Sequence, residues 1–368
     1  MLEAQGRSDI RHLASFGPDF LTDYARGAVG AKVRYASGEN RQATLNVELD
    51  LAQTDLRVAP INWKKAPGVA AQSRFVMHFL EGKPTRLTDL RLDGAGLQAA
   101  ATVLLADGGK EVARIDAPKV KAGGVDVAVT MTRSRDGVYA VKATGASYDV
   151  RGLLGDEAAF DFPAPPDQGR QSREAPPPRK PPPPPMAIEL QVGRLLFGDD
   201  RGVADAEGRM RRDGGEWTAI GLRGRTPPKR DLAIRLDRNA AGDGALTLYA
   251  SNAGAALRAL DVTDRVRGGS LRVRGATSGA GPQAVIDGGV TMDDYTVVDA
   301  PALAHILNAM SVTGLAELLS GEGISFGNLT GSFRKQGDLL RLSEVRTAGG
   351  AQGLTVEGDN NHAKDTAR

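Results

Sequence analysis

A chain of 368 residues holds one large domain or two ordinary ones, and its 41% hydrophobic residues suffice for a core. Aromatics are only 5%, so that core is built mostly from Ala, Leu and Val, while Gly 46 and Pro 20 favour turns over long helices. The 47 basic and 45 acidic residues are spread along the chain, which excludes a nucleic-acid footprint; Cys 0 excludes disulfides, thiol chemistry and cysteine metal sites.

The chain starts MLEAQGRSDIRHLASF, without the basic segment and apolar run of a signal peptide. No stretch is apolar for the ~18 residues a spanning helix needs. The expectation is a cytoplasmic chain or a piece whose targeting segment lies elsewhere. Period-two alternation then begins. In LNVELDL, Leu45, Val47, Leu49 and Leu51 share one face; in VDVAVTM, Val125, Val127, Val129 and Met131 do. Such runs, punctuated by Gly, Asp and Asn, predict half-buried antiparallel strands joined by hairpins.

Residues 164–185, APPDQGRQSREAPPPRKPPPPP, read as a polyproline linker, because proline cannot donate to a sheet ladder. It divides the chain into β segments at 1–163 and 186–358, with a polar tail at 359–368. After the linker, GRMRRDGGEWTAIG predicts a basic hairpin turning at Asp213–Gly215, and DLAIRLD, GSLRVRG and GLTVEG continue the strands. SNAGAALRALDV predicts a short helix near 252–260, capped by Ser251 or Asn252. A stronger helix is expected over 301–320. There Leu303, Ile306, Leu307 and Met310 recur at helical spacing, and Leu315, Leu318 and Leu319 extend the face. This helix must cover something, and a curled sheet with an apolar interior has an open end or seam.

Catalytic chemistry finds no foothold. His12, His78, His305 and His362 are scattered, and no HExxH, GxSxG, P-loop or dinucleotide fingerprint is present. Asp199–Asp200 and Asp293–Asp294 are adjacent pairs, which in a strand point to opposite faces. The reading is a protein without catalytic residues, metal or cofactor. The two surviving functions are a binding surface for something apolar and a structural scaffold. The inward faces of the clearest strands are the candidate lining: Leu232, Ile234, Leu236, Leu246, Leu248, Leu271, Val273, Leu340, Leu342, Leu354 and Val356.

GALTLYASNAGAALRALDVTDRVRGGSLRVRG (244–275), DAPALAHILNAMSVTGLAELLSGEGISFGNL and the closing GLTVEG together carry a resemblance. They resemble the AsmA-like C-terminal region of bacterial envelope proteins of the YhdP and AsmA type, in its alphaproteobacterial form. Thr313–Phe326 is the most specific stretch, and a looser likeness reaches back to residue 14 through FLTDYARGAVGAKVRY and LDLAQTDLRVAPINWKKAPG. The resemblance implies an elongated, curled antiparallel β-sheet of AsmA/YhdP/TamB type that forms an apolar groove, with a few short covering helices. It further implies a periplasmic protein tied to the inner membrane, whose groove shields phospholipid acyl chains during transport between inner and outer membranes. Envelope proteins are the other implied partners, and the alternative is a scaffold for outer-membrane biogenesis that conducts no lipid. The family's N-terminal anchor and its strands beyond GLTVEG are missing from this sequence, so a fragment is expected.

Overall fold

The computed structural model describes residues 2–14, 21–154, 184–228, 230–281, 284–299, 323–337, 339–348, 353–361 and 366–367. The chain is mainly β and divides into two units, Met1–Met186 and Ala187–Arg368.

In the first unit, β1 (Leu2–Asp9), β2 (Ala25–Ser37), β3 (Gln42–Asp50), β6 (Ala71–Leu80), β7 (Lys83–Gly94), β8 (Leu97–Ala106), β9 (Glu111–Ala122), β10 (Val125–Arg133) and β11 (Tyr139–Asp149) pair antiparallel in that order. Short helices α1 (Ile10–Ala14), α2 (Leu21–Tyr24) and α3 (Arg151–Leu154) accompany them. Between β3 and β6 the chain leaves the sheet to make β4 (Thr54–Val58), a 3-10 turn at Ala59–Ile61 and β5 (Trp63–Lys65), with β4 pairing to the start of β2. Alternation explains the layout. Leu45, Val47 and Leu49 face Tyr35, Val33 and Ala31 on one side and Met77, Phe75 and Ser73 on the other, so each strand's apolar set falls on the same face.

The excursion covers one end of that face. Trp63, 7% exposed, sits in a core with Val29, Leu51, Leu56, Ala71, Leu97 and Ala122, and its indole Nε1 donates to the Ala95 carbonyl at 3.1 Å. Thr54 donates to the Ala28 carbonyl at 2.8 Å. The end of β11 fastens the same excursion. The Tyr148 hydroxyl donates to the Pro60 carbonyl, Asn62 Nδ2 donates to Asp149 Oδ2 at 2.9 Å, and Arg151 forks onto the same carboxylate. Gly152 is needed for the approach: a Cβ there would stand 1.8 Å from the Ala59 carbonyl oxygen.

The second unit opens with β12 (Met186–Gly198). There follow β13 (Arg201–Asp213), β14 (Glu216–Thr226), β15 (Arg230–Arg238), β16 (Gly244–Ala250), β17 (Val266–Ser278), β18 (Val285–Val297), β19 (Ile324–Gln336), β20 (Leu339–Ala348), β21 (Gly353–Asn361) and β22 (Thr366–Ala367). From β13 onward each pairs antiparallel with the next. β21 runs on to Asn361, past the end expected at residue 358, because ladder bonds use the backbone and pair Asn361 with Leu339 whatever the side chains. Helix α4 (Ala253–Ala259) follows β16, with Asn252 at its N-cap accepting from the Ala255 N–H at 2.8 Å. α4 touches β13 and β14 as well as β17 and β18. Those pairs flank β15 and β16, so the sheet curls about the helix.

Of the expected linker only Pro184 and Pro185 lie inside the described residues. The whole expected helix 301–320 lies outside them, and so do Leu303, Ile306, Leu307, Met310, Leu315, Leu318 and Leu319.

Candidate functional site

The strands of the second unit are in a register that aligns their apolar side chains into three rows. Ile234 pairs with Leu222 and Leu248, and the row continues through Val273 and Val290 to Gly331. Leu236 pairs with Ile220 and Leu246, and its row passes through Gly275 and Gly288 to Phe333 and Leu342. Leu232 pairs with Gly224 and Ala250, and its row passes through Leu271 and Met292 to Leu329. Residues paired across an antiparallel ladder share a face, so these rows form one apolar surface across β14–β20.

The rows are unequally covered. Leu232 is 2% exposed, Ala250 0%, Leu271 3% and Met292 8%. Helix α4, which follows Ala250 and touches β17 and β18, carries Ala253, Ala256 and Ala259 at 0–4% exposure, a smooth stripe at every third residue. Ile234, Leu236, Leu246, Leu248, Val273, Leu340 and Leu342 are only half-buried. Among the described residues the same face is therefore closed at one end and half-buried along the rest. Where the middle of the Leu236 row has glycine, the Phe333 ring fills in: a Cβ on Gly288 would stand 2.8 Å from its Cζ.

The sequence-predicted lining thus separates into parts. Leu232 and Leu271 belong to the covered end; Ile234, Leu236, Leu246, Leu248 and Val273 form the accessible middle. Leu342 continues the middle through Phe333, and Leu340 pairs with Lys335 beside it. Leu354 and Val356 pair with Thr347 and Val345 along the β21 backbone, and their side chains lie outside the described residues. Ile220, Leu222, Val290, Met292 and Phe333 were missed as lining. The signal for them is alternation in EWTAIGLRG, GGVTMDD and NLTGSF, interrupted by glycines that dilute it.

The first unit carries an analogous face. Leu45 and Met77 lead through Leu87, Val103, Ile115 and Met131 to Val141 in one register row. Met77 and Val103 are buried, while Leu45, Leu87, Ile115, Met131 and Val141 are half-buried.

Polar groups at the covered end of the first unit are satisfied locally. Lys65, 2% exposed, donates from Nζ to the carbonyls of Val69 at 2.9 Å, Ala66 at 3.0 Å and Ala52 at 3.2 Å. Burial lowers its pKa, against the pull of Asp55 and Asp50. For Asp149 burial acts to raise the pKa, yet the hydrogen bonds from Arg151 and Asn62 outweigh it and hold the carboxyl below its ordinary value. These contacts fasten the covering elements. Trp217 differs from Trp63: it is half-buried, with the Arg212 guanidinium 5.8 Å from its ring centre.

Among the described residues no group of three His, Asp or Glu side chains is placed to hold a metal ion, and no helix is long and apolar enough to cross a membrane. His78 is held in β6 by Thr88 at 2.9 Å. Asp199 and Asp200 form the β12–β13 turn, whereas Asp293 sits in β18 and accepts from Asn328 at 2.8 Å. No family model, no curated protein and no solved structure matches the chain.

Proposed function

We propose that the protein is a non-enzymatic lipid-handling segment, whose half-covered apolar sheet faces receive phospholipid acyl chains. The observation that carries this reading is the accessible middle of the second unit's face. Ile234, Leu236, Leu246, Leu248 and Val273 stand side by side in register, and none is fully buried. Contiguous apolar surface of this kind marks a site of interaction. A two-chain phospholipid hides ~30 methylene groups at ~0.8 kcal/mol each, so exposing them costs on the order of 25 kcal/mol. An apolar trough removes most of that cost without chemistry. The lining is suited to acyl chains, since Leu, Ile and Val offer a smooth wall without pockets that would select one chain.

The resemblance to AsmA-like and YhdP-like envelope proteins supports the same reading and adds its setting. In that setting the groove lies in the periplasm, associated with the inner membrane, and lipid passes toward the outer membrane. Purification of the chain, organic extraction and mass spectrometry of the extract test the proposal. Co-purified phospholipid, and uptake of a fluorescent acyl lipid by stripped protein, are expected. Absence of both refutes it.

A further inference from the structure

The opposite face of the second unit's sheet carries arginine where the first carries leucine. In one register row, Arg209, Gly221, Arg235, Thr247, Arg274 and Gly289 follow one another across β13–β18. In the next, Arg223, Ala233, Tyr249, Arg272 and Thr291 do so. Between the two rows lies a depression of about 290 Å³, walled by Ala233, Arg235, Thr247, Tyr249, Arg272 and Arg274. The backbone of Ile234, Leu248 and Val273 forms its floor, since their side chains belong to the apolar face.

The charges around this depression do not cancel. Arg235 pairs with Asp237 at 2.5 Å and Arg272 with Asp293 at 3.6 Å, and both arginines stay more than half exposed. Arg223 faces Glu207 across the β13–β14 ladder, whereas Arg274 faces Thr247 and Gly289 and has no acidic residue opposite it. Arg272 and Arg274, two apart on one strand, project to the same side about 7 Å from each other. Tyr249, 43% exposed, and Thr247 add hydroxyls at the same level. Guanidinium forks match tetrahedral oxyanions, which accept from several donors at once.

We propose that this depression binds a phosphate-type oxyanion, carried on a lipid headgroup or free in solution. A nucleic-acid track fits less well, because Asp231, Asp237, Asp287 and Asp293 interrupt the same face and would repel a continuous polyanion. The site lies on the face opposite the apolar rows, so it stands whether or not those rows hold acyl chains.

The test uses the full chain in low salt. Inorganic phosphate and pyrophosphate are titrated by calorimetry, and flotation measures binding to phosphatidylcholine vesicles with and without phosphatidylglycerol. The double variant Arg272→Gln/Arg274→Gln should lose at least about tenfold in phosphate affinity at unchanged melting temperature. Arg334→Gln, on the same face but outside the depression and paired with Asp287 at 3.4 Å, should bind as the wild type does. Should the glutamine pair fail to fold, Arg272→Lys/Arg274→Lys keeps the charge, loses the bidentate fork and must still weaken binding. Phosphate binding joined by selective binding to phosphatidylglycerol vesicles assigns a headgroup, and phosphate binding alone assigns a free anion. No phosphate binding by the wild type, equal binding by the double variant, or preference for a single-stranded oligonucleotide over phosphate and vesicles overturns the proposal.

Discussion

Two leucines one strand apart should respond differently to the same truncation. Leu232, 2% exposed, lies between Gly224 and Ala250 in register, and Ala250 ends the strand that leads into α4. Its register partners are glycine and alanine, so neither can lean into the space a missing isobutyl group leaves. Leu→Ala at fully buried sites costs ~2.7–5.0 kcal/mol, more where the void cannot collapse, so about 4 kcal/mol is expected for Leu232→Ala. For a folding unit of this size each kcal/mol moves the melting temperature by about 2–4 °C, giving a drop of roughly 8–16 °C. Leu248, half-buried on the accessible part of the same face, removes less surface from water in the apo chain, and Leu248→Ala should cost about 1 kcal/mol. Thermal unfolding followed by circular dichroism and by Trp217 fluorescence measures both. Acyl-lipid uptake should follow the reverse order, with Leu248→Ser weakening it at little cost in stability. Equal destabilisation by the two alanine variants would show that the middle of the face is as closely packed as its end, and the reasoning would fall.

The covering excursion of the first unit gives further tests. Gly152→Ala places a methyl carbon against the Ala59 carbonyl oxygen, so it should lower the first unit's melting temperature far more than alanine at Gly6, where a Cβ meets nothing within 4 Å and the backbone is not left-handed. The depressed pKa of Asp149 means that its stabilisation is fully present above the ordinary value of 3.8 and is lost as pH falls through the lower folded value. Asp149→Asn should therefore cost about 1–3 kcal/mol near neutrality, and the gap to wild type should close in acid denaturation series below that range. For Lys65 the slope has the same sign but another cause, since burial disfavours its charged form: its folded pKa lies below the ordinary 10.5, so the unfolded chain binds the proton more tightly and stability rises with pH. Urea midpoints of the wild type relative to Lys65→Met should rise as pH climbs toward that value. Asn252→Ala removes the α4 cap and should cost about 1 kcal/mol in the second unit's chemical denaturation.

Strand type was legible in the sequence because alternation is a local signal. DLAIRLD puts Leu232, Ile234 and Leu236 on one face whatever their partners, and β15 places them so. The N-cap of α4 was legible for a similar reason, as an amide side chain before an alanine run. Depth was not legible. Leu232 and Ile234 look equivalent in sequence, and only the position of α4, after the next strand, distinguishes a buried end from an accessible middle. The covering excursion of the first unit was hidden for a different reason. LAQTDLRVAPINWKK has neither clean alternation nor helical spacing, and its order comes from contacts with residues 87 or 88 positions away, such as Asn62 with Asp149 and Pro60 with Tyr148. Arg272 and Arg274 were visible in LRVRG as solvated strand residues. Their convergence with Arg235 required the registers of β15, β16 and β17.

Among the described residues the two units reach a common arrangement by unlike means, which bears on why one end of each face is covered. A sheet with a continuous apolar face must either pack against a second layer along its full length or leave part of that face to another occupant. Here the chain supplies cover in short pieces: β4, the 3-10 turn and β5 in the first unit, α4 in the second. Each is fixed firmly. Asp149, Lys65 and Thr54 bind the first, while an Asn cap and buried alanines hold the second, and Arg201 on β13 reaches Asp261 just past α4 at 2.5 Å. A cover held by buried hydrogen bonds and close backbone contacts is costly to move, because each unmade buried bond costs about 1–3 kcal/mol. The covered ends therefore act as permanent stops, and among the described residues the half-buried middle of each face is the part left for access. On the proposed function, acyl chains would enter beside Leu248 and Val273 rather than by displacement of α4. Locking α4 to β17 with a disulfide would then leave lipid uptake unchanged, and an uptake lost on oxidation and restored by reductant would show instead that the helix must move.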